Sequence, residues 1–214
     1  MLVLFDLDGT LVDSGPGIQT SVRHAAGAVG IPEPTPEQLR LLIGPPFPAA
    51  FRDVLGVDGP TGDAMMTAYR EVYGASGMFD VSLYEGVTDA LDELLDRGDV
   101  LAVTTSKPAP YAREVVAHLG LVEAFAGGVH GAAFDGSVEG KAAVVGLALA
   151  QHGGGPVVGL VGDRHNDVEG ARRHGLPCLG VSWGFGGRAE LEAAGAAAVV
   201  DKPAEIPAAL AELG

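Results

Sequence analysis

A chain of 214 residues, 47% hydrophobic and 19% charged, can bury one large core or one core with a small second domain. A formal charge of −15 argues against binding nucleic acid or an anionic membrane through bulk charge, so a small anionic ligand would need locally placed cations. The single cysteine, Cys178, excludes an intramolecular disulfide framework and fits a reducing cytoplasm.

In chain order, "LVLF" opens as a buried strand, too short and too poor in flanking basic residues for a signal peptide or a membrane span. No convincing strand follows between Asp13 and Tyr84. That interval instead carries the helical patterns "GIQTSVRHAAGAVG", "TPEQLRLLIG", "PAAFRDVLG" and "GDAMMTAYREVYG", punctuated by prolines. Then short apolar runs ("VLAVTT", "GVH", "PVVGLVG", "PCLGVSW", "AAAVV") alternate with helical patterns, several of which stop at glycine. Near-continuous apolar strands alternating with helices predict an α/β fold, a doubly wound parallel sheet with a Rossmann-like core. Residues 1–13 and 82–214 are expected to form that core, and 14–81 an inserted α-helical cap domain, because the interval far exceeds an ordinary crossover of a dozen or more residues.

The ends of the predicted strands carry the polar residues. Asp6 and Asp8 follow the first, Thr104, Thr105, Ser106 and Lys107 the second, and Asp163 and Asp167 the "PVVGLVG" strand; Lys141 opens a helix. A parallel sheet brings these ends to one edge. Adjacent carboxylates repel and need a cation or a shared proton. An oxygen-only set of this kind suits Mg²⁺, with Lys141 and the Thr105 turn available for a phosphoryl group.

"DLDGT" at Asp6, a hydroxyl at Thr105, a lysine at Lys141 and "GDRHND" at Asp163, in this order, resemble the four motifs of the haloacid dehalogenase superfamily. "LIGPPF", "LYEGV", "TSKP", "HGAAFDGS" and "SWGFG" are similar to its phosphoglycolate phosphatase and 5'-nucleotidase-like branch. The resemblance implies a Mg²⁺-dependent phosphatase of small phosphorylated metabolites; a phosphomutase or a non-catalytic phosphate-binding protein are the alternatives, and the sequence leaves a monomer and a homodimer equally open. It implies Asp6 as nucleophile and Asp8 as acid and base. Gly9, Thr105, Ser106 and Lys141 are implied around the phosphoryl group, and Asp6, the Asp8 carbonyl, Asp163 and Asp167 around the ion. Gly44, Pro45, Pro46 and Phe47 are expected to form the cap loop that selects the leaving group.

Competing motifs fail on context. "GSVEGKA" around Lys141 lacks the spacing and hydroxyl of a Walker loop, and the six histidines show no metal-ligand spacing. Gly184, Gly186 and Ala189 satisfy a dinucleotide fingerprint, but too little chain follows Asp201 for the rest of such a fold. This Gly-rich turn is expected to provide close backbone packing beside the site. Arg164, Arg172 and Arg173 are expected to be solvated helix charges, and Cys178 a buried, inert thiol.

Overall fold

The structure, a computed structural model, describes residues 1–45, 47 and 49–213. The chain divides into two compact units, Met1–Asp13 with Leu83–Gly214, and Ser14–Ser82.

In the first unit, six described strands form one sheet: β1 (Leu2–Phe5), β4 (Val100–Pro108), β5 (Val129–Ala132), β6 (Val157–Gly162), β7 (Cys178–Val181) and β8 (Ala198–Val200). Their order is β5-β4-β1-β6-β7-β8, and every pairing is parallel. The chain builds outward from β1 on one side, then returns to β6 on the other, so its direction switches at β1. Beyond the strands' carboxyl ends at such a point lies the ligand crevice of open α/β sheets. Phe5 of β1 lies in register with Val103 of β4 and Val161 of β6, so Asp6 stands beside the ends of both neighbours.

The strands are apolar because helices cover both faces of the sheet. β1 is buried throughout, and Leu2, Leu4, Ala102, Val145, Leu160, Val168, Cys178 and Leu191 share one core cluster. The covering helices are amphipathic: α4 (Val87–Asp96) buries Val87, Ala90, Leu91 and Leu94, a spacing that puts them on one stripe. Helices α5 (Ala109–His118), α6 (Lys141–His152), α7 (His165–Arg172), α8 (Arg188–Ala194) and α9 (Ile206–Leu213) complete the unit.

Two details of the strands differ from the sequence reading. β4 does not end at Thr105 but continues to Pro108 through a register irregularity between Thr105 and Pro108. The interval without predicted strands is bounded by two-residue strands, β2 (Val12–Asp13) and β3 (Ser82–Leu83), which pair with each other. They are too short to leave a periodic signal.

The second unit contains α1 (Gly15–Ala28), α2 (Pro36–Leu41) and α3 (Gly59–Ala75). α2 starts at a capping box formed by Thr35 and Gln38 of "TPEQ". Thr35 Oγ1 accepts from Gln38 N at 3.2 Å, and Thr35 N donates to Gln38 Oε1 at 2.9 Å. "FRDVL", expected as α-helix, is a π-helical turn at Phe51–Leu55.

Leu160 sits fully buried in the middle strand β6. Leu160→Ala should lower the stability of the chain by about 2–5 kcal/mol, measured by urea denaturation; a loss below about 1 kcal/mol would contradict the packing described.

Candidate active site

Asp6 follows β1 directly, anchored by its N–H on Val161 O at 2.9 Å. Asp163 follows β6, Asp167 lies in the first turn of α7, and Lys141 opens α6. The fold brings these four side chains together. Carboxylate oxygens of Asp6, Asp163 and Asp167 lie within 4.8 Å of one another, all buried. Lys141 Nζ donates to Thr104 O at 2.8 Å and stands 2.6 Å from Asp6 Oδ1 and 2.7 Å from Asp167 Oδ1.

Burial, more than any neighbour, pushes the Asp6 carboxyl up to about 7; Asp167 and Asp8 add to the rise, against the pull of Lys141. Asp163 is raised well above the ordinary carboxylate range by burial, then by Asp167 and Asp6, against the Phe185 N–H. Burial works to lower the Lys141 value, but Asp167 and Asp6 outweigh it and keep the ammonium charged. Of the three buried carboxyl groups, Asp6 and Asp167 therefore share one ammonium, while Asp163 takes the Phe185 N–H instead. Oxygen-only chemistry and this excess of acid over base fit a hard dication such as Mg²⁺.

Asp8 and Gly9 lie in a tight turn after β1, closed by Gly9 N donating to Val12 O at 2.8 Å. Gly9 has φ +86°, and a Cβ there would lie 2.3 Å from Asp163 Oδ2. Thr105 is buried in β4, and its Oγ1 accepts the N–H of Lys107 at 3.2 Å, which leaves the hydroxyl proton for another acceptor. Ser106 is the next residue on the same strand.

The Gly-rich turn packs closely against this edge, as its sequence suggested. A Cβ on Gly184 would lie 2.3 Å from Gly9 O and 2.4 Å from Asp163 Cβ, and one on Gly186 would lie 2.3 Å from Asp163 O. Phe185 N donates to Asp163 Oδ2 at 2.7 Å, and Trp183 Nε1 to Thr10 O at 3.1 Å. Cys178 is buried, and burial raises its thiol well above the ordinary value.

Arg164 departs from the expected solvated charge. Its Nε donates to Glu190 Oε1 at 2.9 Å, and the same oxygen accepts His165 N at 2.9 Å and lies 2.8 Å from His165 Nδ1. Burial would raise the Glu190 carboxyl, but these donors hold it at about 2. Glu190 thereby ties α8 to the loop between Asp163 and Asp167. Lys107 was also given no role from the sequence, although it stands in the quoted "TSKP"; its Nζ donates to Asp8 Oδ1 at 2.6 Å.

The four expected loop residues belong to the Ser14–Ser82 unit. Gly44 has φ +103° and Pro45 follows it; Pro46 lies outside the described residues. The ring of Phe47 stacks on Phe51 at 4.5 Å between centroids and meets Tyr69 edge-on at 4.8 Å.

The family model of haloacid dehalogenase-like hydrolases matches residues 3–181. A 5'-nucleotidase from Pseudomonas aeruginosa is 36% identical over 192 residues, covering 89% of this chain and 86% of the relative. The tyrosine-protein kinase PtkA from Mycobacterium tuberculosis is 41% identical over 186 residues, 86% of this chain but 63% of that protein. The crystal structure of a predicted phosphatase from Clostridium acetobutylicum superposes with a TM-score of 0.92 at 34% identity, covering 99% of this chain and 98% of the other.

Asp6 and Asp163 bind protons more tightly in the folded chain than at the ordinary value of 3.8. The folded state therefore holds the extra protons above that value, and for Asp6 up to about 7. The associated stability is present at low pH and is lost as the pH rises through this window. In metal-free buffer at about pH 8, Asp163→Asn should raise the melting temperature by a few degrees, with little change at about pH 5. Mg²⁺ should stabilise the native chain at the higher pH and Asp163→Asn much less; identical melts for both proteins would contradict this electrostatic account.

Proposed function

The chain belongs to the haloacid dehalogenase-like hydrolase family and is a phosphoric monoester hydrolase, and from that premise we propose that it hydrolyses small phosphomonoesters through an aspartyl-phosphate on Asp6, with Mg²⁺. The substrates favoured are of the phosphoglycolate or nucleoside monophosphate type, supported by relatives that bear those enzyme names. The observation that carries the mechanism is the convergence of the Asp6, Asp163 and Asp167 oxygens, with Lys141 paired to Asp6 and Asp167 and Asp8 two residues beyond Asp6.

The Asp6 carboxylate attacks phosphorus, and the ester oxygen leaves with a proton from Asp8. Asp8 then takes a proton from the water that attacks the aspartyl-phosphate. The Thr105 hydroxyl and the N–H groups near Gly9 and Ser106 hold the phosphoryl oxygens. Lys141 favours the charged form of the nucleophile and offsets negative charge in the transition state. Asp6, Asp163, Asp167 and the Asp8 carbonyl would hold Mg²⁺, which when bound supplies charge neutralisation and polarisation of a phosphoryl oxygen.

The Ser14–Ser82 unit is proposed to act as a cap that selects the leaving group, with Gly44, Pro45, Pro46 and Phe47 as its specificity segment. A cytoplasmic setting is supported by the lone, buried thiol of Cys178. Among the described residues, no helix is long and apolar enough to cross a membrane.

Purified protein should release phosphate from p-nitrophenyl phosphate with Mg²⁺ and not with EDTA. Asp6→Asn should be inactive. Asp8→Asn should turn over about 10²–10⁴-fold more slowly and accumulate phospho-enzyme. A panel of phosphoglycolate, nucleoside monophosphates, sugar phosphates, pyrophosphate and phosphotyrosine identifies the preferred leaving group. No phosphate release from any of these, or near-normal activity in Asp6→Asn, would contradict the mechanism.

A further inference from the structure

We propose that Lys107 is a positioning residue for Asp8, fixing its carboxylate for the step in which water hydrolyses the aspartyl-phosphate. This rests on the acid–base role of Asp8 proposed above and adds to the mechanism a residue outside its four motif positions.

The ion pair itself is the first observation. Lys107 Nζ donates to Asp8 Oδ1 at 2.6 Å, with the two side chains only 5% and 13% exposed. Lysine is among the residue types least often buried, and withdrawing two charges from water is costly unless they are held in good geometry. Lys141 already serves Asp6 and Asp167, and Asp8 has a separate ammonium in Lys107.

The backbone is built for that delivery. Thr105 of β4 pairs with Gly131 of β5, but the next pair is Pro108 with Ala132. Ser106 and Lys107 are thus extra residues in β4. Bulges of this kind bend a strand and re-aim its side chains. The Lys107 N–H closes the bulge onto Thr105 Oγ1, tying its position to that of the phosphate-binding hydroxyl. Gly131 provides the space: a Cβ there would lie 2.5 Å from Lys107 O and 2.7 Å from Ala109 N.

An ammonium fixed on Oδ1 sets the plane of the Asp8 carboxylate and hence the direction of Oδ2. In the second half-reaction, the water oxygen bonds to phosphorus while the bond from Asp6 to phosphorus breaks. The electron pair returns to the Asp6 carboxylate, and the water proton passes to Asp8. This step needs Asp8 at a defined angle. Attack of Asp6 on p-nitrophenyl phosphate needs it much less, because p-nitrophenolate leaves without a proton.

The test is rapid-mixing kinetics with p-nitrophenyl phosphate and Mg²⁺ on Lys107→Met, Lys107→Arg and Asp8→Asn, with mass measurement of phosphoryl groups on quenched protein. Lys107→Met should release a burst of about one p-nitrophenolate per active site, followed by turnover slowed about 10–10²-fold, with kcat/KM changed far less. Its quenched form should carry a phosphoryl group on Asp6, and Lys107→Arg should recover part of the turnover. A burst in Asp8→Asn but not in Lys107→Met, with kcat and kcat/KM of the latter falling together, would overturn the role of Lys107 alone. So would unchanged kinetics in Lys107→Met. No burst in Asp8→Asn would overturn the assignment of Asp8, and the inference with it.

Discussion

Three buried carboxyl groups cluster at the end of the central strands with one ammonium that pairs with two of them, and the surrounding main chain is arranged around that imbalance. It follows from topology: parallel β1 and β6 place Asp6 and Asp163 side by side, and α7 turns back to add Asp167. Folding removes these groups from water, and without a dication the acids respond by holding protons at pH values where free carboxyls have lost them. The neighbouring backbone closes in tightly. Gly9, Gly184 and Gly186 bring main chain against Asp163 where any side chain would collide, and Glu190 fixes the loop from Asp163 to Asp167 through Arg164 and His165.

The same imbalance shapes the chemistry. A cluster with more acid than base repels a phosphate ester, and on the proposed mechanism the ester binds once a dication has joined the carboxylates. Under that proposal metal and phosphoryl group would be partners in one charge-balanced assembly, each strengthening the binding of the other by the same factor. Lys141 lies at the centre of this assembly and Lys107 at its margin, so the site uses its two lysines for different carboxylates.

Much of this was legible in the sequence because it depends on local pattern. Strands covered on both faces must be apolar, so "LVLF" and "PVVGLVG" identified themselves, and the acids after them pointed to one sheet edge. What escaped depends on three-dimensional detail without a period. The place of Lys107 requires a bulge whose only sequence trace is a glycine on the neighbouring strand. The partnership of Arg164 with Glu190 joins residues 26 positions apart on separate helical segments, and nothing in either segment announces the other. The π-helical turn at Phe51–Leu55 has the composition of an α-helix and differs in hydrogen bonding alone.

The central claim is that metal and phosphoryl group share the carboxylate cluster. Calorimetric titration of a beryllium fluoride phosphoryl analogue into the metal-free and Mg²⁺-loaded protein tests it most directly, with Asp163→Asn as control. The account predicts that Mg²⁺ tightens analogue binding by about 10-fold or more in the native chain and far less in Asp163→Asn. Equal affinity with and without Mg²⁺ would show that the ion and the phosphoryl group do not meet at these carboxylates, and would contradict it.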